Sequence, residues 1–146
     1  MAPKNLYYVK NKTLGVGKTY LLAKFCLIKS LIDGVDAQNI SVIAPSLRQS
    51  KIVIDYLVRM LVGMDVAFTT INNSCDKYGV SFSNQEGVAI TIHAIPISQR
   101  EYAGRTVVLD EFNSLPVEII KDLHEEYVFN NVDGLNLKLK LTELVS

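Results

Sequence analysis

The chain has 146 residues, of which 49% are hydrophobic, and this length is enough for one domain with a hydrophobic core. Fifteen basic and fifteen acidic residues balance to zero formal charge, which excludes a strong sequence-wide attraction to nucleic acid. No apolar run reaches the roughly 18 residues of a membrane span, and the N-terminus lacks the layout of a signal peptide. Two cysteines, Cys26 and Cys75, do not make a disulfide framework, so we expect an intracellular protein that is neither secreted nor membrane-bound.

The first third of the chain alternates between strand and helix patterns. Leu6 to Val9 predicts a β-strand, and Tyr20 to about Ile32 predicts a long apolar helix. Ile40 to Ala44 predicts a buried strand. Ser46 can then cap a helix from about Leu47 to Leu61, whose apolar positions recur at near-helical spacing.

A phosphate-binding loop is predicted between the first strand and the first helix, at Leu14-Gly15-Val16-Gly17-Lys18-Thr19. In this setting, backbone N–H groups and the positive end of the helix hold phosphate oxygens, and the bound nucleotide extends as far as Tyr20. We expect Lys18 to reach the terminal phosphates and Thr19 to offer its hydroxyl to Mg²⁺. The full pattern has a glycine at position 12, where this chain has Lys12.

The middle of the chain predicts a β-rich insertion. Ala67 to Ile71 has a strand pattern, and Val80 to Ser83 and Val88 to Ile95 form a predicted β-hairpin across Asn84 to Gly87. Thr106 to Leu109 then predicts a short buried strand.

The last part of the chain predicts one helix and one strand. The helix runs from Val117, which follows Pro116, to about Phe129, and a turn covers Asn130 to Gly134. Strict alternation of apolar and polar residues from Leu135 to Leu141 predicts a strand with one wet face. The whole pattern predicts an α/β domain with a mainly parallel sheet flanked by helices and an inserted β-hairpin.

Two adjacent carboxylates, Asp110 and Glu111, follow the strand Thr106 to Leu109. In a nucleotide hydrolase with this pattern, the first carboxylate belongs to the Mg²⁺ site and the second acts as general base on the attacking water. Ligands of parallel sheets bind at the carboxyl ends of the strands, where the phosphate loop and this pair are both expected. We therefore predict a Mg·ATP site with Thr19 and Asp110 at the metal, and Lys18 and Glu111 as catalytic residues.

Three stretches extend these motifs: Asn11 to Thr19, Val42 to Ser50, and Arg100 to Phe112, in which an arginine precedes the Asp-Glu pair by ten residues. Together with the hairpin that precedes the arginine, they resemble the N-terminal ATPase domain of viral terminase large subunits. The resemblance implies a RecA/terminase-like P-loop NTPase that hydrolyses ATP with Mg²⁺ for viral genome packaging. It also implies double-stranded DNA held by a ring of identical subunits on a portal, in the cytoplasm of the host cell.

The resemblance implies a catalytic role for Arg100, as an arginine finger acting in its own subunit or a neighbour. Arg48 and Arg105 are further candidates, and a surface position is the alternative for all three. The chain departs from the family at Glu101, where the family has glycine, and its coupling motif is only hinted at by Leu139 to Thr142. Because no nuclease domain follows, we expect residues 1–146 to be a single, partial ATPase domain.

Several residues and functions have open alternatives. Tyr7 and Tyr8 lie either near the adenine or in packing beneath the sheet, whereas His93 is expected in the core and His124 on a solvated face. A helicase-like, nucleic-acid-dependent ATPase core and a nucleotide-binding fragment without hydrolysis are the alternative functions. The helicase alternative needs a second motor domain and further motifs downstream.

Overall fold

A mixed sheet forms the centre of the protein, and its strands are four to eight residues long. The computed structural model describes residues 4–9, 17–33, 38–73 and 77–132. Within them lie seven strands, in chain order β1 (Asn5–Tyr8), β2 (Asn39–Ala44), β3 (Phe68–Asn73), β4 (Lys77–Ser83), β5 (Ala89–Pro96), β6 (Thr106–Leu109) and β7 (Val128–Asn131). Their spatial order is β3-β4-β5-β2-β6-β1-β7. Five neighbouring strands in this order, β5, β2, β6, β1 and β7, are parallel to one another. Strands β3 and β4 extend the sheet at the β5 edge in antiparallel fashion.

Helices cover both faces of the sheet. On one face, α1 (Gly17–Asp33) and α2 (Leu47–Gly63) pack side by side, and on the other lies α3 (Val117–Glu126). Short 3-10 segments at Ile97–Tyr102 and Phe112–Ser114 flank β6. No helix in the described part of the chain is long and apolar enough to cross a membrane.

Two hydrophobic cores result from the alternation of side chains along the strands. In β6, Val108 packs toward α1 and α2, whereas Val107 and Leu109 pack toward α3. Both faces of this strand are buried, which explains why its sequence is continuously apolar rather than alternating. The predicted α/β class, with its mainly parallel sheet and flanking helices, is confirmed.

The inserted hairpin is formed by β4 and β5, as predicted. At its turn, the buried side chain of Asn84 accepts hydrogen bonds from the backbone N–H groups of Glu86 (3.0 Å) and Val88 (2.9 Å). Gly87 has a φ of 79°, a conformation that is cheap only for glycine. The Ser46 cap is also confirmed, since its hydroxyl accepts a hydrogen bond from the N–H of Gln49 at 3.2 Å.

The predicted end of the last helix was wrong. Helix α3 ends at Glu126 instead of near Phe129, and the chain returns as β7, so Asn130 and Asn131 lie in a strand rather than in a turn. The N–H of Val128 donates to the carbonyl of Lys4 at 2.8 Å. Pairing with β1 therefore overrides the helical pattern of this apolar stretch.

Several predicted features lie outside the described residues. These are the loop positions Lys12, Leu14, Gly15 and Val16, Cys75, and the predicted strand Leu135 to Leu141 with the hinted coupling motif at Leu139 to Thr142.

Candidate active site

The two sequence motifs meet at the carboxyl edge of the parallel strands. Strands β1 and β6 are direct neighbours in parallel register, with Tyr8 opposite Leu109. The carboxyl ends of β1 and β6 therefore lie at the same level, where Asp110 and Glu111 follow β6. Gly17, Lys18, Thr19 and Tyr20 form the first turn of α1, immediately above this edge.

A hydrogen bond joins the motifs directly. The Thr19 hydroxyl donates to Oδ2 of Asp110 at 3.3 Å, across 91 residues of sequence. Asp110 follows Val108 by two residues, so its side chain lies on the α1 face of the sheet. The backbone N–H of Asp110 donates to the carbonyl of Ile43 at 2.8 Å, which extends the pairing of β6 with β2 by one residue and fixes this position.

The Asp110 carboxylate is buried, with 2% of its residue surface exposed. Burial raises the pKa of Asp110 above its ordinary value, and the adjacent charge of Glu111 raises it further. Three groups act in the opposite direction and lower this pKa: the N–H of Glu111, which donates to Oδ1 at 2.9 Å, the Thr19 hydroxyl, and the charge of Lys18. The carboxylate therefore lies where a cation would stabilise its charged form.

The oxygens of Thr19 and Asp110 fit a magnesium ion. Mg²⁺ takes hard oxygen ligands and is usually held by one or two carboxylates together with phosphates and waters. Here a hydroxyl and a carboxylate oxygen already converge to within hydrogen-bonding distance, beside the helix terminus expected to bind phosphate.

Glu111 adopts a left-handed backbone conformation, with φ 57° and ψ 44°. This conformation costs a residue with a side chain roughly 1–2 kcal/mol, so the surrounding contacts must hold it in place. The sharp turn lets two consecutive carboxylates lie at the same strand end, as the sequence predicted. The hydroxyl of Ser114, three residues later, donates to Oε2 of Glu111 at 3.4 Å.

An aromatic cluster on the α3 face anchors the residue that follows Glu111. Phe112 stacks on Tyr8 with ring centroids 4.5 Å apart, and Phe129 lies edge-on to Phe112 at 6.3 Å. His124 is exposed, as predicted, and it also stacks on Phe129 at 3.7 Å. Tyr8 thus packs beneath the sheet edge, which favours the packing alternative, and Tyr7 on the other face likewise packs on Phe25 at 4.7 Å.

Arg100 does not contact Asp110 or Glu111. Its guanidinium donates to the carbonyl of Ile97 at 3.2 Å and pairs with Asp122 of α3 at 3.5 Å. It therefore lies on the α3 face, opposite the face that carries Lys18 and Thr19. Arg48, at the start of α2, and Arg105, before β6, are exposed.

His93 was expected in the core, but it is a half-buried strand residue. Its Nε2 lies 3.3 Å from the hydroxyl of buried Ser41, which also accepts a hydrogen bond from the N–H of Gly104 at 3.2 Å. The hydroxyl of Tyr127 in turn donates to the Gly104 carbonyl at 2.8 Å. These bonds fix the segment between β5 and β6 against the sheet.

Sequence reasoning missed two features of the site. The left-handed turn at Glu111 has no sequence signal, because glutamate does not favour positive φ. Ser114 had a weak signal, a hydroxyl residue three positions after the expected base. Both features concern how Glu111 is held, and neither changes which residues meet.

The fold is an α/β architecture with a mainly parallel sheet, and the candidate site lies at the carboxyl edge of that sheet. No family model matches the sequence, and no curated protein is similar to it in sequence. Among solved structures, the chain is similar to the large terminase of a thermophilic bacteriophage, with a TM-score of 0.58 and 12% identity over 88% of this chain and 32% of that one. The same terminase in complex with ADP gives a TM-score of 0.57 at 12% identity, over 88% and 33% of the two chains. The likeness shows a terminase-like fold, and the chain spans about a third of the length of these structures.

Proposed function

We propose that the chain is the ATP-binding and ATP-hydrolysing motor domain of a viral DNA-packaging terminase. The observation that carries this proposal is the hydrogen bond between Thr19 and Asp110, because it brings the two halves of a nucleotide-hydrolysis site together. The terminase-like fold supports the same assignment. An ADP complex is known for the similar phage terminase, which adds support for nucleotide binding here.

In this proposal the first turn of α1 binds the phosphates through backbone N–H groups and Lys18. Leu14, Gly15 and Val16 complete the phosphate loop. Magnesium, when bound at Thr19 and Asp110, neutralises charge on the β- and γ-phosphates. Glu111, whose backbone is in the left-handed conformation, accepts a proton from the attacking water.

The wider assembly belongs to the same proposal. Subunits form a ring on a portal in the host cytoplasm, and the ring holds double-stranded DNA. Arg100 acts as a finger toward the site of a neighbouring subunit, where it stabilises charge on the transferred phosphoryl group. Because its guanidinium is paired with Asp122 at 3.5 Å, this role requires the exchange of one exposed ion pair, which costs little.

Nucleotide binding is tested by titrating Mg·ATP into the parent chain and a Lys18→Ala variant, with calorimetry as the readout. Lys24→Ala is the matched control, since Lys24 lies on the same helix and is half-buried like Lys18. We expect Lys18→Ala to abolish binding and Lys24→Ala to leave it unchanged. Equal affinity of all three chains would remove the phosphate-loop assignment.

Hydrolysis is tested with Glu111→Gln, which keeps the shape of the side chain and removes the base. We expect intact ATP binding and a loss in rate on the order of 10²–10⁴. A Glu111→Gln chain that hydrolyses ATP at the parental rate would exclude Glu111 as the base. A parent chain that binds ATP and hydrolyses none, even when assembled, would favour a nucleotide-binding domain without hydrolysis.

A further inference from the structure

Apolar side chains are exposed beside the start of α1, where the proposed function places the phosphates. Tyr20, directly after Thr19, is 45% exposed, and Ile52 of α2 is 44% exposed. Tyr56 follows Ile52 by one helical turn and is half-buried. Contiguous exposed apolar surface beside polar binding groups is typical of a ligand site.

The aromatic rings in this surface are held by each other. The Tyr20 and Tyr56 rings meet edge-on, with centroids 5.8 Å apart and planes at 89°. The guanidinium of Arg59 lies over the Tyr56 ring at 5.5 Å. Tyr56 is thus fixed between a cation and a second ring, so it supports Tyr20 in one position while much of the Tyr20 side chain stays exposed.

The heights of the two helices place this surface beside the phosphate site. Helices α1 and α2 run in the same direction, because each follows the carboxyl end of a parallel strand. Tyr20 is three residues into α1, about 4.5 Å along it, whereas its contact Tyr56 is nine residues into α2, about 13 Å along it. Because Tyr20 contacts Tyr56, the part of α2 that precedes Tyr56, including Ile52, lies on the side of this contact toward the start of α1.

We propose that Tyr20 and Ile52, supported by Tyr56, bind the base of the nucleotide whose phosphates lie at the start of α1. This inference rests on the proposed function and names the groups that recognise the nucleoside part of the ligand. A base is joined to its phosphates through a single sugar, so it lies within about one side-chain length of the residue after Thr19. Aromatic rings bind bases by stacking, and an aliphatic side chain such as Ile52 packs against the base edge or the sugar.

The experiment compares two ligands that share the phosphates and differ in the base. Affinities of Mg·ATP and of magnesium tripolyphosphate are measured for the parent chain, Tyr20→Ala, Tyr20→Phe and Ile52→Ala. Tyr102→Ala is the control, because Tyr102 is 74% exposed and lies in the 3-10 segment before β6, away from this surface. Circular dichroism confirms that each variant is folded.

We expect Tyr20→Ala to weaken ATP binding by about tenfold, within the range found for loss of one aromatic–base stack, and to leave tripolyphosphate binding unchanged. Tyr20→Phe and Tyr102→Ala should match the parent, and Ile52→Ala should weaken ATP binding by a smaller factor. If Tyr20→Ala weakens both ligands equally, the side chain supports the phosphate loop and the proposal is wrong.

Other outcomes separate this inference from the proposed function. Unchanged ATP affinity in both Tyr20→Ala and Ile52→Ala overturns the base site while the proposed function stands. A loss of DNA affinity in these variants, with ATP binding intact, overturns it in favour of a nucleic-acid contact. A parent chain that binds neither ligand overturns the proposed function and the base site together.

Discussion

The left-handed backbone conformation of Glu111 predicts a difference in stability between two substitutions at this position. Replacing Glu111 with glycine and, separately, with alanine removes the same carboxylate and its contact with Ser114. The two variants differ only in the backbone, because glycine adopts φ 57° freely and alanine does not. Their comparison therefore isolates the conformational cost of the turn from the loss of the side chain.

The size of the effect follows from two opposing contributions. Relief of the left-handed conformation favours the glycine variant by roughly 1–2 kcal/mol. The greater freedom of glycine in the unfolded chain costs about 0.4–1 kcal/mol. The glycine variant should therefore be more stable than the alanine variant by about 0.5–1 kcal/mol, which corresponds to a Tm higher by about 2–3 °C for a chain of this length.

The assay is urea unfolding of both variants beside the parent, followed by far-UV circular dichroism. Both variants should bind Mg·ATP and neither should hydrolyse it. The difference in stability between the glycine and alanine variants is therefore independent of the loss of hydrolysis, which they share. If the alanine variant is at least as stable as the glycine variant, the backbone at position 111 carries no strain.

Three further predictions concern the neighbours of this turn. The pKa of Asp110 in the folded chain is raised above its ordinary value of 3.8, because the folded state favours the protonated carboxyl. Asp110 therefore lowers the stability of the folded chain as the pH rises from 3.8 through the folded-state pKa, where its carboxyl must ionise. Without ligand, Asp110→Asn should therefore gain stability relative to the parent as the pH rises from 3.8 to about 7, as measured by urea unfolding across pH; a difference that does not change with pH would contradict the burial argument. Phe112→Ala should lower the stability by about 2 kcal/mol and lower the hydrolysis rate without changing ATP affinity. Phe112→Tyr keeps the ring stacked on Tyr8 and should retain the stability and the rate of the parent. Equal hydrolysis rates in the two variants would show that the stack does not hold Glu111 in place. Arg100→Ala chains and Glu111→Gln chains should each be inactive and regain activity when mixed, and a co-assembled but inactive mixture would remove Arg100 as a finger across the interface.

Much of this architecture follows from local patterns in the sequence. Thr106 to Leu109 has the bounds predicted for it, because a short run of β-branched and apolar residues between polar neighbours is typical of a buried strand. The β4–β5 hairpin and the Ser46 cap also follow from turn and capping residues. Each of these features depends on residues that are close together in the chain.

The features that the sequence could not reveal depend on distant partners. Strand β7 exists because β1 offers a free edge, and Tyr127 to Phe129 continue a helical apolar pattern that gives no sign of it. The contact between Tyr20 and Tyr56 depends on the relative height of two helices, which neither helix encodes alone. The proximity of Thr19 and Asp110 was predicted only because the carboxyl ends of parallel strands share one edge.

The inserted hairpin is attached to α2, the helix that carries Ile52 and Tyr56. The Tyr78 hydroxyl donates to Asp55 at 2.5 Å, and the ammonium of Lys51 lies 5.1 Å from the Tyr78 ring. At the neighbouring Gly79, a Cβ atom would come within 2.5 Å of the carbonyl oxygen of Ile92, so the two hairpin strands approach too closely for any side chain there. Tyr78 consequently links β4 of the hairpin to α2 through contacts with two of its side chains, Asp55 and Lys51.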